Sequence, residues 1–321
     1  MLRYTRSSIA RQAAVLVVFT ALAAVPWSQD AAAAPGRACE RAPAPTRCDD
    51  LHQYVTTSLG FGHTSNEAAA NGFDLDGNGI TDNALGALFA GLSGVLDVDA
   101  EIARSIDSGE TVVLHSLRAD TLKTDPTASW RTFIGEPDPS GAGGFEVDAS
   151  APPGSPLLGS VFKTRFFGGP GLVPLRLALA PDGPSTELHV LSAHVAVNCD
   201  PDACTHGKVG GAISSAEADG EVVPALASLM QAVVDEGCPG DVLDSCTPQA
   251  LTILNIFDAN HDVLITADEL RASPLIQALL APDVDVLRAD GSPGQDGVKE
   301  SVSIGLGFAA QAATFDEPAP G

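Results

Sequence analysis

The sequence predicts an α+β chain: an antiparallel, β-rich body built as a sandwich-like sheet, a helical insertion, and a C-terminal strand that rejoins the sheet. Three observations carry that expectation. The middle of the chain is a series of Val-, Leu- and Phe-rich segments parted by Pro and Gly clusters at 151–156, 168–174 and 181–184, the punctuation that strands require. From Glu217 onward the character becomes helical, with Pro224 interrupting the first helix early and Pro248 in the first turn of the second. Near the end, Val302, Ile304, Leu306 and Phe308 alternate with Ser303, Gly305 and Gly307. That is the period of a half-buried strand, and a lone terminal strand must join a sheet to bury its apolar face.

Residues 1–34 read as a secretory signal peptide. Arg3, Arg6 and Arg11 precede an apolar run from Ala13 to Val25, and Ala31–Ala34 offer small-residue cleavage sites. The run is too short for a membrane span, and no later segment reaches the roughly 18 apolar residues a span needs. No transmembrane segment is therefore expected, and the mature chain is expected to be secreted, periplasmic or at the cell surface. Residues 35–48 form a Pro/Ala-rich linker. The β-rich domain, 49–216, opens with a helix expected over Asp49–Leu59. A second helix starts near Asp82 or Asn83, since either side chain is suited to cap it. Strands follow at Thr111–Arg118, Ser160–Phe167, Leu172–Ala180, Glu187–Val197 and Lys208–Ser214. The helical region, 217–290, places helices over Val222–Val234, Gln249–Phe257 and Ala267–Leu280, the second capped by Thr247. Residues 291–321 hold the returning strand.

Seventeen basic and 41 acidic residues give a net charge of −24. Such a chain repels nucleic acid and anionic membranes and attracts cations. Cys39, Cys48, Cys199, Cys204, Cys238 and Cys246 all follow the signal, and an even count in an exported chain argues for disulfides. Their order falls into three close couples, 39–48, 199–204 and 238–246, which are the expected bridges.

Two acidic segments carry the candidate chemistry. Residues 258–269 read DANHDVLITADE. Asp258, Asn260 and Asp262 stand at loop positions one, three and five, Thr266 at nine and Glu269 at twelve, with Leu264 at seven offering a backbone carbonyl. Calcium takes roughly six to eight oxygens, and a tight twelve-residue loop wraps them around it. This segment resembles the EF-hand calcium loop, and the resemblance extends over its flanking helices, residues 248–280. It implies Ca²⁺ bound by those six residues, and it gives Ile265 at position eight the family's loop-pairing place. One departure is Val263 at position six, where the family uses glycine and a β-branched residue is strained. The second segment, DLDGNGITDN over 74–83, places Asp74, Asp76 and Asn78 at one, three and five, the Ile80 carbonyl at seven and Asp82 at nine. It resembles the shortened calcium loops of dockerins, but position twelve is Leu85, so the bidentate carboxylate is missing. A third acidic stretch, Asp283, Asp285, Asp290 and Asp296, fits no loop spacing and reads as a solvated connection.

Other constellations carry less. Cys199, Cys204 and His206 fit a disulfide better than zinc in an exported chain. GLGFAA at 305–310 lacks room for a following βαβ unit and reads as strand rather than a dinucleotide loop. No G-x-S-x-G or H-E-x-x-H motif occurs. The expected function is that of a calcium-binding exported protein of structural, adhesive or ligand-binding type, acting on an extracellular protein or surface partner. The alternative is a secreted hydrolase with calcium as a structural ion, in which a serine or aspartate would meet His115, His189 or His194.

Overall fold

The computed structural model describes residues 50–139, 144–180, 185–241, 243–286 and 294–318. The signal, the linker and the Cys39–Cys48 couple lie outside the described residues.

Eleven strands are present: β1 Asp50–Gly60, β2 Val112–Ala119, β3 Thr124–Asp125, β4 Ser129–Pro137, β5 Phe145–Val147, β6 Leu157–Phe162, β7 Arg165–Gly168, β8 Val173–Leu177, β9 Thr186–Cys199, β10 Ala203–Ser214 and β11 Ser301–Ala312. Eight of them form a ring in the order β1-β2-β4-β6-β7-β9-β10-β11, with every pairing antiparallel. The short strands β3, β5 and β8 pair on β6, β4 and β9. The sheet therefore closes into an up-and-down barrel, which corrects the expected sandwich-like sheet with an EF-hand insertion: the molecule is mostly β. The ring closes where Ser129 and Trp130 of β4 pair with Leu158 and Leu157 of β6. Sandwich and barrel strands share the same period-two pattern, so only this pairing separates the two folds.

A second correction concerns Asp49–Leu59. The helix expected there is instead strand β1. The β-branched run Val55-Thr56-Thr57 suits a pleated strand better than a helix. Tyr54 is fully buried there and its hydroxyl donates to the Asp200 carbonyl at 2.8 Å.

Inside the ring, Tyr54, His115, Trp130, Phe166 and Phe308 stack with Val, Leu and Ile side chains. The space left around His115, Trp130 and Phe308 is about 10 Å³. Eight strands give an interior that side chains can fill, and here they do. The barrel is a core and holds no ligand chamber.

Two long excursions interrupt the meander. Between β1 and β2 run α1 Ser65–Asn71, α2 Ala84–Leu92 and α3 Val98–Ser108. Between β10 and β11 run α4 Ser215–Glu217, a π-helical stretch Ala218–Val222, α5 Val223–Gly237, α6 Pro248–Phe257, α7 Ala267–Ala272 and α8 Pro274–Leu279. The single helix expected over Ala267–Leu280 is divided at Ser273, because Pro274 supplies no N–H to continue it. Both β1 and β10 run antiparallel to β11, so the two excursions leave the same end of the barrel. Each carries one of the acidic loops. The glycines of β11 seat the first excursion closely: a Cβ on Gly305 would lie 2.7 Å from the Asn71 carbonyl oxygen. Two disulfides, Cys199–Cys204 across the β9–β10 turn and Cys238–Cys246 between α5 and α6, clamp these connections. Among the described residues no helix is long and apolar enough to cross a membrane.

Candidate metal centre

The loop at 74–82 sits between α1 and α2 and is tied at its ends by a bridge, the Asp82 N–H donating to the Phe73 carbonyl at 2.7 Å. Its residues order their own backbone. Asp74 Oδ2 accepts from the Gly79 N–H (2.9 Å), Asp76 Oδ1 from Asn78 (3.1 Å) and Asn78 Oδ1 from Ile80 (2.7 Å). Asp82 Oδ2 closes the loop by accepting the Leu75 N–H at 2.8 Å. Gly77 and Gly79 take φ of 77° and 85°, a region glycine enters without steric cost.

Loop 258–269 follows the same path with different residues. Asp258 Oδ2 accepts from Val263 (3.0 Å), Asn260 Oδ1 from Asp262 (3.0 Å) and Asp262 Oδ1 from Leu264 (2.9 Å). Its positive φ values fall at the same two positions, on His261 (62°) and Val263 (67°). Here Glu269 Oε1 accepts the position-two N–H, that of Ala259, at 3.1 Å. Asp82 at position nine thus performs in the first loop the closure that Glu269 at twelve performs in the second. A reading that looked for an acid only at position twelve counted Leu85 as a deficit and missed this equivalence. Aspartates two and eight residues after Asp74, at 76 and 82, were the available signal.

The two loops differ in how far their carboxylates converge. Asp74, Asp76 and Asp82 each bring an oxygen to within 4.8 Å of the others, the only such group of three His, Cys, Asp or Glu side chains among the described residues. Asp258, Asp262 and Glu269 form no such group. Glu269 Oε2 is also engaged, accepting from the Thr266 N–H and hydroxyl at the start of α7. Ile265 does not meet a second loop: its N–H donates to Gln231 Oε1 of α5 at 2.6 Å.

Electrostatics single out Asp82. Burial raises its pKa, and the charges of Asp76, Asp283 and Asp74 raise it further, while the Leu75 N–H opposes them. Asp283 belongs to the other excursion. It accepts from the Ser303 N–H and hydroxyl, and the Ser303 oxygen accepts from the Ala84 N–H at 2.7 Å. The two excursions thus place a fourth carboxylate beside the first loop. An all-oxygen donor set of this charge suits a hard divalent cation: Asp74, Asp76 and Asp82, with the Asn78 side-chain oxygen and the Ile80 carbonyl.

The histidines considered as bases do not meet a serine hydroxyl. His115 is sealed in the barrel, its ring nitrogens 2.8 Å and 3.2 Å from the Thr56 and Thr132 hydroxyls. His189 Nδ1 lies 3.1 Å from Glu217, and His194 Nδ1 lies 3.0 Å from the Ser192 carbonyl oxygen.

No protein-family model, curated protein or solved structure matches the chain.

Proposed function

We propose that this is an exported calcium-binding protein of structural or adhesive type, in which Ca²⁺ rigidifies the acidic loops of the two excursions. The observation that carries the reading is the convergence of Asp74, Asp76 and Asp82 within 4.8 Å on a loop whose backbone is already ordered around them. Their mutual repulsion and the burial of Asp82 are costs that a bound cation removes. Outside the cell calcium is abundant, so weak affinity suffices. The two disulfides accord with an oxidising location. The partner class proposed is an extracellular protein or surface. The hydrolase reading is not carried forward, because among the described residues His115, His189 and His194 meet no serine hydroxyl.

Asp82→Asn tests the proposal, since the amide oxygen still accepts the Leu75 N–H while the charge is removed. The variant is expected to lose calcium affinity at least about tenfold by titration calorimetry. Its metal-free form is expected to melt higher than the parent, because a buried carboxylate among like charges is gone. Unchanged calcium affinity would overturn the assignment of this loop.

A further inference from the structure

The outer face of the β6–β7 hairpin departs from the acidic character of the chain. Along β6 the side chains of Leu157 and Val161 point into the core, and those of Leu158 and Phe162 point out. On β7, Phe166 is buried against Trp130 while Arg165 and Phe167 face outward. The exposed positions are large and apolar: Phe162 is 63% accessible, Phe167 52% and Leu158 45%. Arg165 pairs opposite Phe162, and Phe167 opposite Ser160, so these side chains form adjacent rungs of one surface. The hairpin turns through Lys163 and Thr164, both at positive φ (51° and 67°), which throws Phe162 and Lys163 to the tip. The Lys163 ammonium lies 5.2 Å from the Phe162 ring centre.

Cations surround this apolar strip. The Thr164 N–H donates to the Lys123 carbonyl, which brings that lysine to the tip. Arg104, Arg118, Arg176 and Arg271 each have a carboxylate partner. Lys123, Lys163 and Arg165 have none within ion-pair distance among the described residues. Beyond Phe167 lie Phe73 and Lys208, the ammonium 4.2 Å over the Phe73 ring. The pKa of Lys208 is lowered by burial and then by Arg165. Of the neighbouring acids, Asp125 of β3, which pairs with Val161, is buried and accepts from the N–H groups of Asp120 and Thr127; Asp120 is exposed on the β2–β3 connection; and Asp200 on the β9–β10 turn accepts from the N–H groups of Asp202 and Ala203. Arg165 pairs with Asn198 near the end of β9, so the tip lies at the end of the barrel opposite the acidic excursions.

We propose that this face docks on an anionic lipid surface. Leu158, Phe162 and Phe167 enter the boundary between headgroups and acyl chains, and Lys123, Lys163 and Arg165 hold the phosphates. Charge complementarity selects the partner: in a chain of net charge −24, Lys123, Lys163 and Arg165, with no carboxylate in ion-pair distance among the described residues, stand beside the exposed apolar strip. The shape selects a flat surface over a threaded polymer, since the strip is a hairpin whose Leu158, Phe162 and Phe167 all face outward. The overall charge does not forbid contact, because at physiological salt charges beyond about 8 Å are largely screened. Aromatic rings at the interface with basic side chains beside them are the usual chemistry of such attachment.

The test is co-sedimentation of the full chain with vesicles of equal parts phosphatidylglycerol and phosphatidylcholine, against phosphatidylcholine alone. It is run at 0.15 M salt (about the physiological ionic strength) with chelator present, so that calcium bridging contributes nothing and failure here leaves the calcium proposal standing. The parent is expected to bind the anionic vesicles at least about tenfold more tightly, and 1 M salt (where the screening length is about 3 Å) to weaken it. Phe162→Ser with Phe167→Ser, and separately Lys163→Glu with Arg165→Glu, are each expected to remove the anionic preference. All four positions are exposed, and near-ultraviolet circular dichroism unchanged from the parent checks the fold. The apolar run at 13–25 is common to all chains, so differences among them report the hairpin. Equal binding to both vesicle types, or an anionic preference that survives both pairs of substitutions, would overturn the proposal. Concentration-dependent self-association abolished by the Phe substitutions, with no vesicle preference, would assign the face to a second copy instead and overturn it equally.

Discussion

Val263 holds a φ of 67° with a β-branched side chain, a conformation that costs on the order of 1–3 kcal/mol outside glycine. The conformation persists because the Val263 N–H is held by Asp258 Oδ2 and the side chain packs at the edge of the core. Substituting Val263→Gly removes the strain and forfeits that packing, so the metal-free protein is expected to change by less than about 1 kcal/mol in urea unfolding. Calcium affinity at this loop is expected to rise several-fold by calorimetry, and a fall would show that the packing of Val263 positions the ligands. His115 makes a different residue-scale prediction. Full burial lowers its pKa to about 3, against roughly 6.5 in the unfolded chain. Between these values the unfolded state takes up a proton that the folded state refuses. Stability is therefore complete above pH ~6.5 and declines as pH falls, by up to about 1.4 kcal/mol per unit. His115→Gln stays neutral, so between pH 7 and pH 4.5 it is expected to lose about 2–3 kcal/mol less than the parent, read from urea midpoints at the two pH values.

At the scale of elements, the acidic loops are helix starts as well as proposed ion sites. Thr266 caps α7 by accepting the Glu269 N–H, and the Glu269 carboxylate returns the bond to the Thr266 N–H, a reciprocal box that Gln also completes. Gln has only one carbonyl oxygen and keeps the box at the expense of the Ala259 bond, so Glu269→Gln is expected to cost about 0.5 kcal/mol without calcium and to weaken calcium at this loop. Glu269→Ala is expected to cost about 1 kcal/mol even without calcium, because the cap and the Ala259 bond are both lost. Hydrogen exchange over residues 248–280 with and without calcium separates the two effects. Much at this scale was legible in the sequence. Asn83 and Thr247 cap where their side chains allow it, Asn83 Oδ1 accepting from Gly86 and Thr247 from Ala250. The alternation at Val302–Phe308 marks a strand that is indeed there. The first loop's spacing exposed its converging carboxylates but not its closure, since Asp82 acts through a hydrogen bond to Leu75 that no helix-capping rule anticipates. The strand at Asp50–Gly60 is hidden because its apolar residues do not alternate as on a half-buried strand and read as readily as a helix: Tyr54 and Val55 are adjacent and both buried, one on each face of the sheet. What decides between them is Tyr54, which reaches a carbonyl at Asp200, 146 residues away.

The whole molecule depends on closure, which is the property local sequence patterns express least. The chain meanders once around the ring, and its last strand, β11, fits between β10 and β1, so the barrel cannot close until residues 301–312 are in place. A chain ending at residue 300 is expected to lose cooperative unfolding altogether, since β1 and β10 would each expose an unpaired edge beside an opened core. The ring's two joints are unequal. β10 and β11 share ten paired positions from Ala203–Gln311 to Ser214–Ser301, whereas β4 and β6 share two, Ser129–Leu158 and Trp130–Leu157, with one further bond from the Gly159 N–H to the Ala128 carbonyl. Opening at the β4–β6 seam breaks few hydrogen bonds but uncovers Trp130, which is fully buried between Tyr54 and Phe166. Trp130 is therefore what holds the seam, and Trp130→Ala is expected to cost about 3–5 kcal/mol in urea unfolding. In native-state hydrogen exchange of the parent, the amides of β6 are expected to open with a lower free energy than those of β10 and β11, because the seam yields before the ring does. Equal protection across the ring would mean that the barrel opens only by global unfolding, with the packing of Trp130 outweighing the shortness of the ladder.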